Sequence, residues 1–376
     1  MRRTPFLFLL TFNVAFCPLI HTIFSQILTT ALYRNQESVT LYFRKNNVKL
    51  TASFFLQEVS YNMAFKKIVL IGGGVLGSQI AYQSAYSGFD VTVWMRSEGS
   101  ITRTQPKIDA LHKTYADALA LMNTPEGKSP YVWCRGLADP ESFDYDACVK
   151  ANEEAYKNIK LELDFEKALS DADLVIEAMA EDPKAKIEFY QKAAPILPEK
   201  TVLVTNSSTL LPSMFAEYTG RPEKYLALHF ANNIWKGNTA EIMNHPGTDM
   251  KYYDQVVEFA KQIHMIPLCL HKEQPGYILN SLLVPFLLSG LALWANEVSD
   301  PETIDLTWKL ATGSPKGPFG IMDVVGLTTV LNIQMMRPDA NEPGSITNRT
   351  IAKLKAMVDE GKLGVTAGEG FYSYKK

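Results

Sequence analysis

The sequence is poor in cysteine and close to neutral in charge. Its four cysteines, Cys17, Cys134, Cys148 and Cys269, lie far apart, with no C-x-x-C pair and no zinc-ligand spacing. We therefore expect no metal site, and reduced, mostly buried thiols in a cytoplasmic protein. The formal net charge of −3 in 376 residues is too small, and its signs too mixed, for a nucleic-acid partner or an acidic membrane surface.

Long uninterrupted hydrophobic runs are also scarce near the N-terminus. A charged start and the apolar residues 5–10 resemble a signal peptide or membrane anchor, but polar residues and a proline soon interrupt the run. Met63 leads directly into a strand-like segment, and the codons of residues 57–59 can contain the purine-rich element that precedes a bacterial start. We expect translation to start at Met63, with residues 1–62 an over-extended N-terminal segment; a genuine targeting peptide is the alternative.

The sequence does contain enough apolar residues for a globular protein of two domains. Hydrophobic residues make up 47% and charged residues 20%, as is usual for a chain that buries a core. The length of 376 residues is sufficient for two domains of ordinary size. Because this composition is compatible with many functions, the motifs have to identify the function.

A glycine-rich turn follows the first predicted strand. Residues 67–71 form an apolar, β-branched run that predicts a buried parallel strand, and residues 78–87 are rich in small side chains that favour a helix. Between them lies the pattern G-x-G-x-x-G, which in this context binds the pyrophosphate of a dinucleotide at a helix N-terminus. The residues assigned to this cofactor contact are Gly72, Gly74, Val75, Leu76 and Gly77.

The residues after the second predicted strand, 91–94, indicate which dinucleotide binds. An acidic side chain at this point would hold the ribose 2′-hydroxyl of NAD. The chain instead has Met95 followed by Arg96, whose guanidinium is able to pair with the 2′-phosphate of NADP. We therefore expect NADP or NAD as the cofactor, with NADP favoured. The alternative for Arg96 is a solvated side chain that stacks on adenine.

Polar residues stand near the ends of the next predicted strands. Residues 174–178, 201–205 and 225–230 are strand-like, and His229 lies at the end of the last one. In open α/β sheets, ligands bind outside the carboxyl ends of the strands. A lone histidine is more often structural, but Glu241 in the following segment offers a carboxylate that can hold the imidazole. We expect an acid/base pair that serves reversible alcohol oxidation beside a nicotinamide.

The C-terminal third of the chain is helical in pattern. Residues 281–293 are strongly apolar, so this helix needs burial in a domain core or against a second subunit. Asn280 and Pro285 argue against a membrane span, and no membrane contact is expected for either domain. We expect an α/β Rossmann domain with a doubly wound, mostly parallel sheet at 63–270, followed by an all-α domain at 271–376 that carries a homodimer interface.

Together these motifs resemble the L-3-hydroxyacyl-CoA dehydrogenase family. The resemblance covers residues 64–376 and none of residues 1–62. Its elements, in order, are Gly72-x-Gly74-x-x-Gly77, the strand 174–178 with Glu181 and Lys186, Asn206-Ser207-Ser208, His229-Phe230 with Glu241, Pro275-Gly276-Tyr277-Ile278-Leu279-Asn280, and the C-terminal segments 317–320 and 368–374.

The resemblance implies an activity and roles for individual residues. The activity is reversible hydride transfer between NAD(P) and the 3-hydroxyl of a short-chain 3-hydroxyacyl-CoA. His229 would be the general acid/base and Glu241 its partner. The residues assigned to the reacting oxygen or the adjacent substrate are Ser208 and Asn280, and those assigned to the nicotinamide side of the cofactor are Glu181, Lys186, Ser208 and Asn232.

Departures from the family pattern leave two other functions open. The family's His-Phe-Phe-Asn-Pro becomes His229-Phe230-Ala231-Asn232-Asn233 here, with Trp235 nearby, which alters the expected acyl pocket. The first alternative is an NAD(P)-dependent dehydrogenase of a small non-CoA hydroxy acid or alcohol, and the second is a non-catalytic nucleotide-sensing protein.

The stretch from residue 97 to residue 156 does not align with the family. Lys107 and Lys113 within it are either phosphate contacts or solvated lysines. Residues 139–146 are expected to form an inserted loop.

Overall fold

The computed structural model describes residues 38–45, 48–55 and 65–374. The signal-like run at 5–10 and the expected start at Met63 lie outside the described residues. Strands β1 (Ser38–Lys45) and β2 (Val48–Phe55) form an antiparallel hairpin that belongs to a unit of its own. This hairpin was not predicted.

The second unit is built around an eight-stranded sheet. Its strands are β3 (Lys67–Ile71), β4 (Asp90–Trp94), β5 (Lys160–Glu162), β6 (Leu174–Glu177), β7 (Val202–Thr205), β8 (Tyr225–Phe230), β9 (Thr239–Met243) and β10 (Ile266–Cys269). Their order across the sheet is β10-β9-β8-β7-β6-β3-β4-β5, and neighbours are parallel except for β8 and β9. Because β3 lies between β4 and β6, the strand order reverses at the glycine-rich turn, where α/β sheets bind ligands.

Helices cover the sheet and form the C-terminal part of the chain. The α-helices in the described residues are α1 (Val75–Tyr86), α2 (Glu98–Met122), α3 (Tyr145–Asn158), α4 (Phe165–Leu169), α5 (Pro183–Ala193), α6 (Met250–Gln262), α7 (Tyr277–Ala295), α8 (Pro301–Thr312), α9 (Pro318–Val325), α10 (Leu327–Met335) and α11 (Ile346–Asp359). Short 3-10 turns lie at Glu126–Lys128, Pro212–Met214, Ala216–Thr219, Pro222–Lys224 and Val365–Ala367.

The central strands are buried on both faces, as parallel strands flanked by helices must be. All residues of β6, β7 and β8 are buried. Val69, Val175 and Leu203 pack against Phe189 and Tyr190 of α5 in the core on one side of the sheet. The predicted fold class, a doubly wound and mostly parallel sheet followed by a helical domain, is confirmed.

Three local features differ from the sequence-based expectation. Strand β9 was not predicted, and it carries Glu241. Helix α2 occupies the first part of the stretch 97–156, which does not align with the family, even though Pro106 lies inside it. The loop expected at 139–146 ends at Asp144, because the Asp144 side chain accepts the Ala147 N–H and caps α3.

The expectation of mostly buried thiols is only partly correct. Among the cysteines that the structure describes, Cys134 is buried, Cys148 is half-buried and Cys269 is exposed, and all three are free thiols. Burial raises the pKa of the Cys134 thiol, which makes that sulfur a poor nucleophile.

The C-terminal helices have a small core of their own. Leu291 of α7 packs with Phe319, Leu331 and Leu354 from the helices that follow. Few residues of helix α7 are nevertheless buried, and it is the one helix in the described residues that could cross a membrane by length and composition.

Candidate active site

A histidine, a glutamate and a serine meet at the carboxyl end of β8. His229 is the penultimate residue of β8, and the antiparallel register places it directly opposite Glu241 on β9. Its Nδ1 lies 3.0 Å from Glu241 Oε2, and its Nε2 lies 3.2 Å from Ser208 Oγ, just beyond β7. His229 and Glu241 are only 5% and 3% exposed. The structure thus brings together three of the four side chains assigned to catalysis.

Glu241 also accepts two backbone hydrogen bonds from the first turn of α7. Ile278 N–H and Leu279 N–H each donate to Oε1 over 2.9 Å. Burial alone would raise the pKa of the Glu241 carboxyl, but the hydrogen bonds from His229, Leu279 and Ile278 outweigh burial and hold that pKa below its usual value. Glu241 is therefore a carboxylate at neutral pH. It accepts the proton on His229 Nδ1, which makes Nε2 the acceptor of the ring.

Asn280 and Asn232 lie on segments that continue from this pair. Asn280 is half-buried in the first turn of α7, directly after the two residues whose amides bind Glu241. Asn232 is exposed in the loop that follows β8. Gln79 of α1 fixes that loop, because its side-chain oxygen accepts the Asn233 N–H over 2.8 Å. Asn233 has a φ of 62°, so the loop turns sharply immediately after Asn232.

Glu181 binds the segment that carries Ser208. Its carboxylate accepts the Ser207 hydroxyl and the Ser208 backbone N–H, both over 2.6 Å. Asn206 has a different task, since its side-chain oxygen accepts the Phe230 N–H over 3.0 Å and ties the end of β7 to β8. Glu181 therefore determines where the Ser208 hydroxyl is presented to His229.

Lys186 does not reach the surface of this site. Its side chain is fully buried, and its Nζ donates to both carboxylate oxygens of Glu177 over 2.6 and 2.7 Å. Tyr190 and Thr205 donate their hydroxyls to the same carboxylate over 2.9 and 2.8 Å. The structure thus places Lys186 in the core, and its contact with the nicotinamide side stays a prediction that this pairing does not support. A fully buried Glu177 charge requires a partner, and Lys186 supplies it.

The glycine-rich turn is shaped as a dinucleotide cradle. Gly72 has a φ of 108°, and a Cβ there would lie 2.9 Å from Ala178 O. A Cβ on Gly77 would lie 2.2 Å from Gly72 O, so only glycine allows α1 to pack this closely on the turn. An added Cβ on Gly74 would meet open space. The backbone at Gly74 is therefore accessible to a pyrophosphate at the start of α1, where Val75 and Leu76 form the first turn.

A cavity of about 440 Å³ opens beside this turn. Its lining away from the glycines includes Met95, Arg96, Ser100, Arg103, Thr104 and Lys107. Asp182 also lines it, but that carboxylate accepts the N–H groups of Lys184 and Ala185 at the start of α5. The residues present therefore fit a dinucleotide whose adenosine end meets three cationic side chains.

The two lysines that could not be assigned from sequence differ in position. Lys107 lines the cavity, whereas Lys113 is exposed and forms an ion pair with Asp117 over 2.6 Å. Lys113 is thus a solvated lysine, and Lys107 is placed to meet a phosphate.

Trp235 packs inside the Rossmann domain, against α2 and the loop at Gly136. Its ring lies 5.9 Å from that of Tyr115 on α2, measured between centroids, and its carbonyl accepts the Gly136 N–H over 3.0 Å. A Cβ on Gly136 would lie 2.7 Å from Ile234 O, which shows how closely the two segments approach. Because Trp235 is held by α2 and the Gly136 loop, its packing gives no support to the expectation that it reshapes the acyl pocket.

Family comparisons cover almost all of the second unit. The family model described as 3-hydroxyacyl-CoA dehydrogenase, NAD binding domain, matches residues 67–274, and the model of the 3-hydroxyacyl-CoA dehydrogenase C-terminal domain matches residues 276–374. The chain belongs to the 3-hydroxyacyl-CoA dehydrogenase family. The resemblance inferred from the motifs is confirmed, and the chain is an oxidoreductase with an NAD-binding Rossmann domain.

Two curated members of the 3-hydroxyacyl-CoA dehydrogenase family have about the same sequence identity to this chain. The human mitochondrial hydroxyacyl-coenzyme A dehydrogenase is 30% identical over 82% of this chain and 91% of its own length. The 3-hydroxybutyryl-CoA dehydrogenase of Clostridioides difficile is 29% identical over 82% of this chain and 100% of its own length.

Solved structures extend the comparison. A diketoreductase described as a dual catalyst of dicarbonyl compounds is 42% identical, with a TM-score of 0.70 over 82% of this chain and 99% of its own. FadB2 of M. tuberculosis is 26% identical, with a TM-score of 0.66 over 83% of this chain and 100% of its own.

Sequence reasoning missed several residues around the site of this family member. Arg103 and Thr104 line the cofactor cavity, and Gln79 anchors the loop after β8. Arg103 and Lys107 are four residues apart, so recognition of α2 as a helix would have placed both on one face. Tyr277 was named only as part of the family motif and was given no role, because the contact of its ring with His229 forms only when distant segments pack.

Proposed function

We propose that this protein catalyses reversible hydride transfer between a nicotinamide cofactor and the 3-hydroxyl of a short-chain 3-hydroxyacyl-CoA. The observation that carries the proposal is the alignment of Glu241, His229 and Ser208, with the carboxylate on Nδ1 and the hydroxyl near Nε2. A general base needs an acceptor nitrogen within reach of a hydroxyl and a group that stabilises the charge it acquires. This arrangement has both.

His229 Nε2 takes the proton of the substrate hydroxyl in the direction of oxidation. The second ring proton produces an imidazolium, and the adjacent Glu241 carboxylate stabilises it. In the reverse direction the imidazolium returns the proton, while the Ser208 hydroxyl donates to the substrate carbonyl and polarises it. Asn280 is placed on the first turn of α7 to contribute a second donor. A bound nicotinamide would accept the hydride that leaves the carbon bearing this hydroxyl.

A small dicarbonyl compound without CoA is the second candidate substrate. The relative that favours it is the diketoreductase, which is 42% identical, whereas the human and Clostridioides difficile CoA dehydrogenases are about 30% identical. The oxidised form of a 3-hydroxyacyl-CoA also contains two carbonyl groups. The acid/base chemistry of His229 is therefore the same in both.

The test compares three substrates in one assay with the full-length chain. NADH or NADPH oxidation is followed with acetoacetyl-CoA, with its N-acetylcysteamine analogue, and with a simple diketone. We expect kcat/KM to be highest for acetoacetyl-CoA. A diketone that matches acetoacetyl-CoA would transfer the proposal to the second candidate, and absence of turnover with all three, from folded protein that binds cofactor, would reject both.

We further propose NADP as the preferred cofactor. Met95 occupies the position where an NAD-binding carboxylate would stand, and Arg96, Arg103 and Lys107 line the same cavity. With no carboxylate at the position that follows β4, these three cations would pair with a 2′-phosphate.

Cofactor titrations test this preference. Arg96→Ser should weaken NADPH binding by about tenfold or more, the usual effect of losing a hydrogen bond to a charged group, and leave NADH binding unchanged. Lys113→Ser is the matched control, since Lys113 is an exposed cation that pairs with Asp117. Equal effects of Arg96→Ser on the two cofactors would contradict a phosphate contact.

We further propose that the protein is a homodimer, because its C-terminal helices expose apolar side chains. We also propose that it acts in the cytoplasm, where nicotinamide cofactors are available. Leu282 on α7 is 70% exposed, and Leu310 and Met336 are each 77% exposed. Exposed apolar patches mark interaction sites in soluble proteins. Because most soluble oligomers consist of identical subunits, we propose a second copy of this chain as the partner. Sedimentation should give a dimer for the natural chain and a monomer for Leu282→Glu. A monomeric natural chain at micromolar concentration would contradict the proposal.

A further inference from the structure

The first residue of α7 has an uncommon backbone conformation. Tyr277 has a φ of 54°, and the preceding Gly276 has a φ of 79°. A left-handed backbone is natural for glycine but disfavoured for an aromatic residue, so the surroundings must hold it in place. The Tyr277 side chain is 1% exposed, which shows that it is enclosed by the Rossmann domain.

The Tyr277 ring lies flat against the imidazole of His229. The ring centroids are 4.4 Å apart, and the planes differ by only 15°. Glu241 holds one edge of the imidazole through Nδ1, but a single hydrogen bond at one edge permits the ring to tilt. A parallel aromatic face removes that freedom, because a tilted imidazole would collide with the Tyr277 ring. The plane of His229 is therefore determined by Glu241 and Tyr277 together.

The Tyr277 hydroxyl reaches the other partner of His229. It donates to Ser207 O over 2.8 Å, and Ser207 immediately precedes Ser208, whose hydroxyl lies 3.2 Å from His229 Nε2. Burial, followed by the charges of Glu181 and Glu241, raises the pKa of Tyr277 above its ordinary value, so the phenol is a donor throughout the neutral range. One side chain thus holds both the ring that carries the proton and the backbone that presents the serine.

We propose that Tyr277 is a positioning residue of the acid/base centre, an inference that rests on the proposed function of His229. Its ring fixes the imidazole plane, and its hydroxyl fixes the Nε2-to-Ser208 distance. A purely structural role is the alternative, since Tyr277 also packs with Ala227, Met243 and Leu270 in a small core. That role predicts lost stability without a selective effect on turnover.

The first turn of α7 belongs to the site because it contacts both members of the acid/base pair. Glu241 accepts from Ile278 and Leu279 on one oxygen and from His229 on the other, while Tyr277 covers the ring face. The start of one helix therefore orients both members of the acid/base pair. Displacement of a reacting group by about 1 Å is enough to lower a rate by on the order of 10²-fold.

The test uses two substitutions at Tyr277 and a matched control. Tyr277→Phe keeps the ring and removes the hydroxyl, and Tyr277→Leu removes the flat face as well. Tyr86→Phe is the control, because the Tyr86 hydroxyl is also buried and also donates to a backbone carbonyl, that of Leu137, over 3.1 Å. For each full-length variant we would measure kcat, KM, NADH affinity and the unfolding midpoint.

We expect Tyr277→Phe to lower kcat about tenfold, the rate equivalent of one lost hydrogen bond, with KM and NADH affinity unchanged. Tyr277→Leu should lower kcat about 100-fold. Tyr86→Phe should shift the unfolding midpoint like Tyr277→Phe but leave kcat unchanged. If the two phenylalanine variants have the same kcat as the natural chain, Tyr277 is a core residue and the inference is overturned, whether or not Tyr277→Leu folds.

A spectroscopic readout separates this inference from the proposed function. The ring resonances of His229, identified by their loss in His229→Gln, should carry the ring-current shift of a stacked aromatic and lose it in Tyr277→Leu. Unchanged resonances would overturn the stack. Turnover that survives His229→Gln would instead reject the proposed function, and the resonance shift would still decide whether Tyr277 orients the imidazole.

Discussion

Two buried acid–base pairs lie at the ends of β6 and β8, on either side of β7, and they differ in how completely their hydrogen bonds are satisfied. The closed pair, Glu177 and Lys186, is fully buried, and its carboxylate accepts from Lys186, Tyr190, Thr205 and the Met179 N–H. In the open pair, Glu241 and His229, both carboxylate oxygens also accept hydrogen bonds, but the imidazole Nε2 faces the half-buried Ser208 hydroxyl at 3.2 Å.

The difference indicates which pair is able to move a proton. Both carboxylate oxygens of the closed pair accept from neighbours in the same domain, and both side chains are fully buried, so no substrate atom has access to the pair. The open pair keeps one acceptor nitrogen at the surface of the site. Burial and charge alone would have selected both pairs as candidates for catalysis. Only a pair with an atom available to the substrate is able to act as an acid or base, and the other pair has a structural role.

Removal of the imidazole should have the largest effect on rate. His229→Ala should lower kcat by on the order of 10²–10⁴-fold, because no other group at the site accepts the proton, while NADH affinity stays unchanged. Steady-state kinetics and a fluorescence titration measure the two quantities. An unchanged kcat would show that His229 is not the acid/base of the reaction and would remove the distinction between the pairs.

Removal of the lysine should have the largest effect on stability. Lys186→Met leaves the Glu177 carboxylate buried without its cation, which should cost about 3–5 kcal/mol of unfolding free energy. The double variant Glu177→Gln with Lys186→Met should recover much of that loss, because no buried charge remains. Urea denaturation provides the values. A fully stable Lys186→Met variant with a large loss of NADH affinity would show that Lys186 touches the cofactor after all.

Two hydroxyl deletions compare the pairs directly. Thr205→Val removes a donor from the closed pair and should cost about 1–3 kcal/mol of stability, with kcat unchanged. Ser208→Ala removes the neighbour of Nε2 in the open pair and should lower kcat by on the order of 10²-fold, with a small change in stability. The opposite result, a turnover defect in Thr205→Val alone, would reverse the assignment of the two pairs.

The smallest expected effect is a pH dependence of stability that belongs to Glu241. Hydrogen bonds hold the pKa of this carboxyl in the folded state below its usual 4.5, so its contribution is fully present above that pH and is lost as the pH falls through the folded value. The difference in unfolding free energy between the natural chain and Glu241→Gln should therefore shrink as the pH falls below about 4.5. A difference that stays constant down to pH 3 would contradict an ionised, hydrogen-bonded Glu241.

The predictable parts of this fold are those with strong local patterns. The apolar runs at 67–71 and 225–230 appear as β3 and β8 with the expected bounds, because fully buried parallel strands have a distinct composition. Strand β9 has the short sequence TAEIM, in which the charge of Glu241 interrupts an apolar pattern, and only its antiparallel pairing with β8 identifies it. Helix α2 was hidden by Pro106 and by its low overall hydrophobicity.

The residues of the candidate site also fall into two groups, those that the sequence indicated and those whose position only the tertiary structure defined. The sequence was sufficient to select His229 and Ser208, which stand near the ends of predicted strands, and Glu241, which lies in the segment that follows His229. The structure places the three side chains within hydrogen-bond distance. Lys186 was assigned to the cofactor through the family resemblance alone. It is buried against Glu177, and only the three-dimensional packing reveals this competing partner. The catalytic roles themselves stay predictions until the substitutions are made.

By itself the sequence determined the family, the Rossmann fold and the position of the glycine-rich turn, because these depend on patterns within a few residues of each other. The tertiary structure decided which polar groups neutralise one another. It buried Lys186 with Glu177, set Glu241 opposite His229 through a strand pairing, and brought Tyr277 from the start of α7 onto the imidazole face. Hydrogen bonds and ring contacts act over a few ångströms, so the partners of these side chains become defined only when distant segments pack.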